Sequence, residues 1–291
     1  MNDVPPVHLA ASFPRPTPVA PDLPRLERAR GEARLALDFA DGRTRLGTFF
    51  QGGSLKIRLP HVEAGAPLEA VFLNTAGGVT GGDQLLYEVA VGAGAAAVVT
   101  SQAAERIYRR SAGVATIEAR LAIGARARLD WLPQETILFD RSALARKLSV
   151  DIDPTATLLA VEAIVLGRAA MGETVRTVSA ADSWRIRRGG KLVFADGIRL
   201  DGDATGILAG GATGNGATAF ATLLLVAPDA EARLAAAREA LDGATAEAGV
   251  SAWNGMLTAR LIARSGQALR ADLIRLVETL RGAAMPRVWN C

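Results

Sequence analysis

Cysteine is almost missing from this chain. Its one thiol is Cys291, so no intrachain disulfide can form, which fits a reducing compartment. Histidine is as scarce: His8 and His61 are the only two, and no Cys/His cluster has the spacing of a zinc site. Both scarcities argue against a tightly held metal or other cofactor and leave oxygen ligands, which bind a divalent ion loosely. Aromatic residues make up only 5% of the 291 residues while hydrophobic ones reach 49%, so the core is expected to be small and aliphatic. No apolar run approaches a membrane span and no signal-peptide core opens the chain. A soluble cytoplasmic protein without a membrane partner is expected.

The familiar catalytic signatures are absent too. There is no G-x-S-x-G elbow, no P-loop and no dinucleotide fingerprint. The formal charge is +3, and the basic residues are spread out with no Lys/Arg block, which argues against a nucleic-acid partner.

What the chain does have is a repeat. The stretch Val91-Gly92-Ala93-Gly94-Ala95-Ala96-Ala97-Val98-Val99 is echoed by Ile123-Gly124-Ala125-Arg126-Ala127-Arg128-Leu129-Asp130-Trp131 and, more faintly, by Ile152-Asp153-Pro154-Thr155-Ala156-Thr157-Leu158-Leu159. The offsets are 32 and 29 residues. Each copy is an apolar residue, a turn and a strand-like run, the mark of stacked β units. Stacking superimposes equivalent positions, so the polar residues after each run (Gln102 and Glu105, Gln134 and Glu135, Glu162) are expected in a file along one side, a route for a cation.

Around the repeat, short alternating segments read as strands: residues 34–39, 54–59, 68–73, 84–91, 114–121, 136–140, 144–150, 174–178, 183–187, 192–195 and 217–226. Asp41-Gly42 marks a hairpin. Residues 1–24 carry Pro5, Pro6, Pro14, Pro16, Pro18, Pro21 and Pro24, too dense for helix or ladder, and read as a disordered tail. After Pro228 the pattern turns helical. Asp229 is a candidate N-cap for a helix through Leu241; Leu257, Leu261 and Ile262 suggest a second; residues 268–280, with Leu269, Leu273, Leu276, Val277 and Leu280 on one face, suggest a third. The expected fold is mainly β: a β-helix-like stack over residues 25–227 with a C-terminal helical segment over 228–282, all within one domain of residues 25–291.

Three segments could carry chemistry. The loop Asn74-Thr75-Ala76-Gly77-Gly78-Val79-Thr80-Gly81-Gly82-Asp83 lacks the Lys and following helix of a phosphate loop; its glycines read as positive-φ turn residues, which leaves the charge of Asp83 unexplained. In Trp131-Leu132-Pro133-Gln134-Glu135-Thr136-Ile137-Leu138-Phe139-Asp140, the acids Glu135 and Asp140 could be a general acid/base pair, oxygen ligands, or plain surface and turn carboxylates. Glu162 lies in the apolar run 158–166, where burial without a partner is costly; Arg168 and Arg176 are near in sequence.

Together with Thr100-Ser101-Gln102, Ile107-Tyr108-Arg109, Leu166-Gly167-Arg168, Gly172-Glu173 and Pro286-Arg287-Val288-Trp289, these segments resemble the urease accessory protein D (UreD, also UreH) family from about residue 31 to 289. The resemblance implies a non-enzymatic chaperone of nickel metallocentre assembly that binds the urease apoprotein and UreF, which docks the GTPase UreG. It also implies transient passage of Ni2+ through an internal polar channel. Carried onto this chain, Asp83, Glu135, Asp140, Glu162 and Glu173 would lie on the nickel path and Thr100, Ser101, Gln102 and Gln134 would line it. Two other readings stay open: a pure adaptor without a conduit, and a carbohydrate-active β-helix enzyme using Glu135 and Asp140.

Overall fold

The computed structural model describes residues 27–63 and 65–290; the expected tail over 1–24 and Cys291 lie outside them. Strands β1 (Arg30–Ala40) and β2 (Arg43–Gly53) form a hairpin. Its turn residues Asp41 and Gly42 both have positive φ, +52° and +74°, as a two-residue hairpin loop requires. A second antiparallel pair follows, β3 (Leu55–Arg58) and β4 (Leu68–Asn74).

The repeat then builds a solenoid. One coil holds β5 (Gln84–Val91), β6 (Ala96–Ser101) and β7 (Glu105–Ile107). The next holds β8 (Ala115–Ile123), β9 (Arg128–Leu132) and β10 (Thr136–Leu138). The third holds β11 (Ser142–Ile152) and β12 (Thr157–Leu166). The strands stack in parallel at the expected offsets: Val91 pairs with Ile123 and Ile123 with Ile152, while Arg128 pairs with Ala96 and Thr157. The turns stack as well. Gly92 N–H donates to Leu37 O (2.7 Å), Gly124 N–H to Val91 O (2.8 Å) and Asp153 N–H to Ile123 O (2.9 Å). Each turn is followed by a buried alanine, Ala95, Ala127 or Ala156.

The chain continues through the hairpin of β13 (Val178–Arg188) and β14 (Lys191–Gly202), a short α1 (Ala204–Ala209), β15 (Ala219–Val226), α2 (Leu234–Glu239), the hairpin of β16 (Glu247–Trp253) and β17 (Met256–Ala263), and α3 (Gly266–Arg281). Two sheets result. One runs β14-β13-β11-β8-β5-β1-β2, the other β16-β17-β15-β12-β9-β6-β4-β3, with β10 and β7 continuing beside the far half of β12.

The sheets face each other across one core, and α2 and α3 cover the outer side of the second sheet through another. Sequence follows burial. Strand β8 is open to solvent on one face and alternates, whereas β12 is covered on both faces and is nearly continuous in apolar residues. Helix α3 opens on Ser265, whose Oγ accepts from Ala268 N–H at 3.0 Å, and closes on Gly282 at φ +66°. Its expected leucine face is buried. No helix among the described residues is long and apolar enough to cross a membrane.

Two expectations are corrected, and one strand lies outside the expected segments. The helix expected at Leu257, Leu261 and Ile262 is strand β17, so the stretch over 228–282 is not wholly helical: Leu257, Ala259, Leu261 and Ala263 alternate toward α3 with period two, and their spacing fits either element. Residues 174–177 are loop, and the strand begins at Val178. Strand β2 went unread because neither of its faces is buried enough to impose alternation.

Stacked turns make a prediction. At Gly124 an added Cβ would lie 2.9 Å from Ala93 N and 3.2 Å from Gly92 C. Gly124→Ala is expected to cost about 1–3 kcal/mol in urea unfolding. Gly249→Ala, which meets nothing within 4 Å, is expected to stay within about 0.5 kcal/mol of the parent.

Candidate functional site

Three inward-facing positions break the apolar pattern of the core. On β12, Glu162 shares the face of Leu158, Ala160 and Ile164. On β11, Arg146 shares that of Leu144 and Leu148. On β13, Asp182 shares that of Ala180 and Trp184. They meet inside the solenoid. Arg146 Nε lies 2.7 Å from Glu162 Oε2, Nη2 donates to Asp182 Oδ2 at 2.7 Å, and Nη1 donates to Thr136 Oγ1 at 2.8 Å. All three charged side chains are buried. Two carboxylates thus share one guanidinium, and the cluster carries a net negative charge when every member is ionised. Burial pushes the Glu162 carboxyl up to about 7; Arg146 acts against this and Asp182 adds to it. For Arg146, burial opposes its charge, but Asp182 and then Glu162 more than offset that and hold it above its ordinary value, so it stays a cation. Asp182 Oδ1 is buried without a hydrogen-bond partner among the described residues.

Beside the cluster is a cavity of about 60 Å³ between the sheets, room for a small group of waters. Among its lining residues are Glu162, Arg146, Thr136, Tyr87 and Glu105, together with Thr100, Ser101 and Gln134. Glu105 stands on β7 and accepts from Asn74 Nδ2 at 3.1 Å. Burial raises its carboxyl to about 7, with Asn74 and Arg106 acting against the shift. Burial, with Glu105 adding to it, also raises the Tyr87 hydroxyl well above its ordinary value, so it remains a donor.

Of the four residues expected to line a channel, Thr100, Ser101 and Gln134 line this cavity, and their polar groups also make structural contacts. Trp289 Nε1 donates to Thr100 Oγ1 at 3.0 Å. Ser101 Oγ accepts from Gln134 N–H at 2.9 Å. Gln134 Nε2 reaches the carbonyls of Gln102 (2.9 Å), Val288 (3.1 Å) and Ser101 (3.2 Å), and the Gln102 side chain is exposed. Arg270 of α3 donates to Glu135 Oε2 and Trp289 O, both at 2.7 Å, and stacks 4.5 Å over the Trp289 ring. These groups fasten the C-terminal turn and α3 to the solenoid.

Asp83, Asp140 and Glu173 form a third setting. Asp83 accepts from the N–H groups of Thr80 (2.8 Å) and Ala29 (2.9 Å). Asp140 Oδ1 accepts from those of Thr177 (2.8 Å) and Arg176 (2.9 Å). Glu173 accepts from Arg168 Nε (2.8 Å) and from the N–H groups of Asp140 and Arg168 (both 3.1 Å). The glycine loop before Asp83 is a close crossing: a Cβ at Gly81 would lie 2.3 Å from Ala112 O.

The expected single file of acids is therefore three separate settings. The reason is that three of the five acids satisfy loop N–H groups that stacking leaves without partners. Of the expected path residues, Glu162 faces the interior, Glu135 stands in the ion pair outside it, and Asp83, Asp140 and Glu173 brace loops. Among the described residues no group of three or more His, Cys, Asp and Glu side chains is arranged to hold a metal ion. Arg146 and Asp182 were missed in the sequence, although their parity with Leu144, Leu148, Ala180 and Trp184 carried the signal.

Two outcomes are expected from this geometry. Arg146→Met leaves two buried carboxylates without their cation and should cost about 3–5 kcal/mol, whereas Glu162→Gln keeps a balanced Arg146–Asp182 pair and should cost less than about 1 kcal/mol in the same denaturation series. For Glu105, the folded state binds the proton more tightly than the unfolded chain does. Its contribution to stability is fully present below about pH 4.5 and is lost as pH rises through about 7. Glu105→Gln should then melt like the parent at low pH and be more stable by about 2 kcal/mol at pH 8, read by calorimetry.

Comparison with known proteins agrees over almost the whole chain. The family model described as UreD urease accessory protein matches residues 29–290. A urease accessory protein UreD from Rhizobium leguminosarum bv. trifolii is 52% identical over 267 residues, covering 91% of this chain and 97% of its own. One from Rhizobium etli is 51% identical over the same length and shares. UreD 2 of Methylorubrum populi is 48% identical over 288 residues, 97% of this chain and 95% of its own. That family is one of accessory proteins and not of catalysts, which sets aside the glycosidase reading of Glu135 and Asp140. With its solenoid matched nearly end to end, the chain belongs to the UreD urease accessory protein family.

Proposed function

We propose that this protein is a urease maturation chaperone of the cytoplasm. It binds the urease apoprotein and UreF, through UreF it holds UreG, and it passes Ni2+ through its polar interior toward the urease active site. The observation that carries the reading is the buried pair of carboxylates sharing one guanidinium, Glu162–Arg146–Asp182, beside the cavity in a chain about half identical to urease accessory proteins.

Carboxylate and hydroxyl oxygens without imidazole or thiolate bind a first-row divalent ion weakly. Transit needs that weakness, because one tight site would trap the ion. In this reading Glu162, Asp182 and Glu105 supply charge along the path, with Thr136 and Tyr87 as neutral oxygens. Glu135 and Gln134 stand at its border with Thr100, Ser101 and Gln102, while Asp83, Asp140 and Glu173 hold the loops around it. Entry of Ni2+ beside Glu162 or Glu105 would expel their protons, so loading releases acid. Arg146 offsets part of the carboxylates' charge between passages and keeps them from collapsing onto one ion.

The pure adaptor is the competing reading, favoured by the loop-bracing roles of Asp83, Asp140 and Glu173. A double variant, Glu162→Gln with Glu105→Gln, separates the two. The expected result is normal co-elution with apo-urease, UreF and UreG, with nickel per urease and urease activity both reduced severalfold. Full nickel loading by that variant would remove the conduit and leave the adaptor.

A further inference from the structure

The solenoid presents a column of arginines at one corner. After β7, β10 and β12 the chain leaves the second sheet at the same level: Leu138 is in register with Ile107 and with Leu166. The residues that follow stack likewise. The Tyr108 ring meets Phe139 edge-on at 5.2 Å, and the Arg168 guanidinium lies 4.7 Å over the Phe139 ring. Arg110 N–H donates to Arg141 O at 3.0 Å, and Arg141 N–H to Thr177 O at 2.6 Å, next to Arg176. Three successive coils thus display Arg109, Arg110, Arg141, Arg168 and Arg176 together, all exposed.

The acids at this corner neutralise the column only in part. Asp83, Asp140 and Glu173 are turned to backbone N–H groups. Arg168 alone holds a close pair, with Glu173 at 2.8 Å, and Arg141 reaches Asp140 only at 3.6 Å. Arg109 and Arg176 have no ion pair among the described residues. Stacking fixes the backbone positions of these like charges close together, and an opposite charge from outside lowers their energy. Beside them Tyr108 is 37% and Met171 74% exposed. Arginine, tyrosine and methionine together are the composition of a protein interface.

We infer that this corner docks an acidic protein surface, one of the contacts that the scaffold role proposed above calls for. Guanidinium forks at the spacing of stacked strands receive carboxylates in pairs, and Tyr108 and Met171 supply the apolar contact between them.

The test immobilises the full chain and probes it separately with purified urease apoprotein and with the UreF–UreG complex. One probe should bind with an affinity that falls steeply between about 50 and 500 mM salt. The triple variant Arg109→Gln, Arg141→Gln, Arg176→Gln should bind that probe about tenfold or more weakly, and the other probe as before. The corresponding triple lysine variant should recover most of the loss. Equal binding of both probes by the glutamine variant overturns the inference and leaves the scaffold role standing; failure of the unmodified chain to bind either probe overturns both. Capture of a short RNA duplex, lost in the same variant while both proteins still bind, also overturns it. Should the glutamine variant melt early, the parent chain's salt titration decides, and a flat profile is adverse.

Discussion

Stacking one coil on the next at a fixed register couples each solenoid position to its counterpart 32 or 29 residues along. A slip of one residue would turn every inward side chain outward. The stacked turns at Gly92, Gly124 and Asp153 fix that register, and the buried alanines after them leave no slack. Everything chemical in the molecule inherits its place from this lock.

Inside, the lock brings together three charged residues on inward positions, Arg146 and Asp182 on the paired strands β11 and β13 and Glu162 on β12 of the facing sheet. Removing them from water is costly, and only the short contacts of Arg146 with Glu162, Asp182 and Thr136 offset the cost. The balance stays incomplete because two carboxylates face one cation. A core built only for stability would place apolar residues there, as the rest of the two-sheet interior does. The imbalance sits beside the cavity, and it is on this pairing that the proposed passage of a cation rests.

Outside, the two sheets differ. The second is sealed by α2, α3 and the C-terminal turn, held through Arg270, Gln134 and Trp289. The corner beyond β7, β10 and β12 is uncovered, and there the acids turn inward to the backbone while the arginines turn outward. One set of loops therefore serves two ends: carboxylates hold its shape, and guanidinium groups give its surface a sign.

Much of this was legible in the sequence. The repeat, its offsets, the leucine face of α3, the glycine crossing before Asp83 and the family motifs are local patterns, and local patterns are set by backbone sterics and burial periodicity that a sequence displays directly. Placing Glu162 in an apolar run exposed the need for a partner, but the partner was sought in nearby Arg168 and Arg176. The tertiary structure chose Arg146, because the packing of one sheet on the other and not chain proximity decides which inward positions meet. The same holds for Asp83, Asp140 and Glu173. Their identity as acids was plain, but whether an acid lines a passage or satisfies a backbone N–H depends on which loop amides stacking leaves unpaired, and only the assembled coils determine that. Strand β17 differs from expectation for a related reason: two leucines four apart, Leu257 and Leu261, suit a helix or a strand, and the neighbouring β15 settles the matter by offering a ladder.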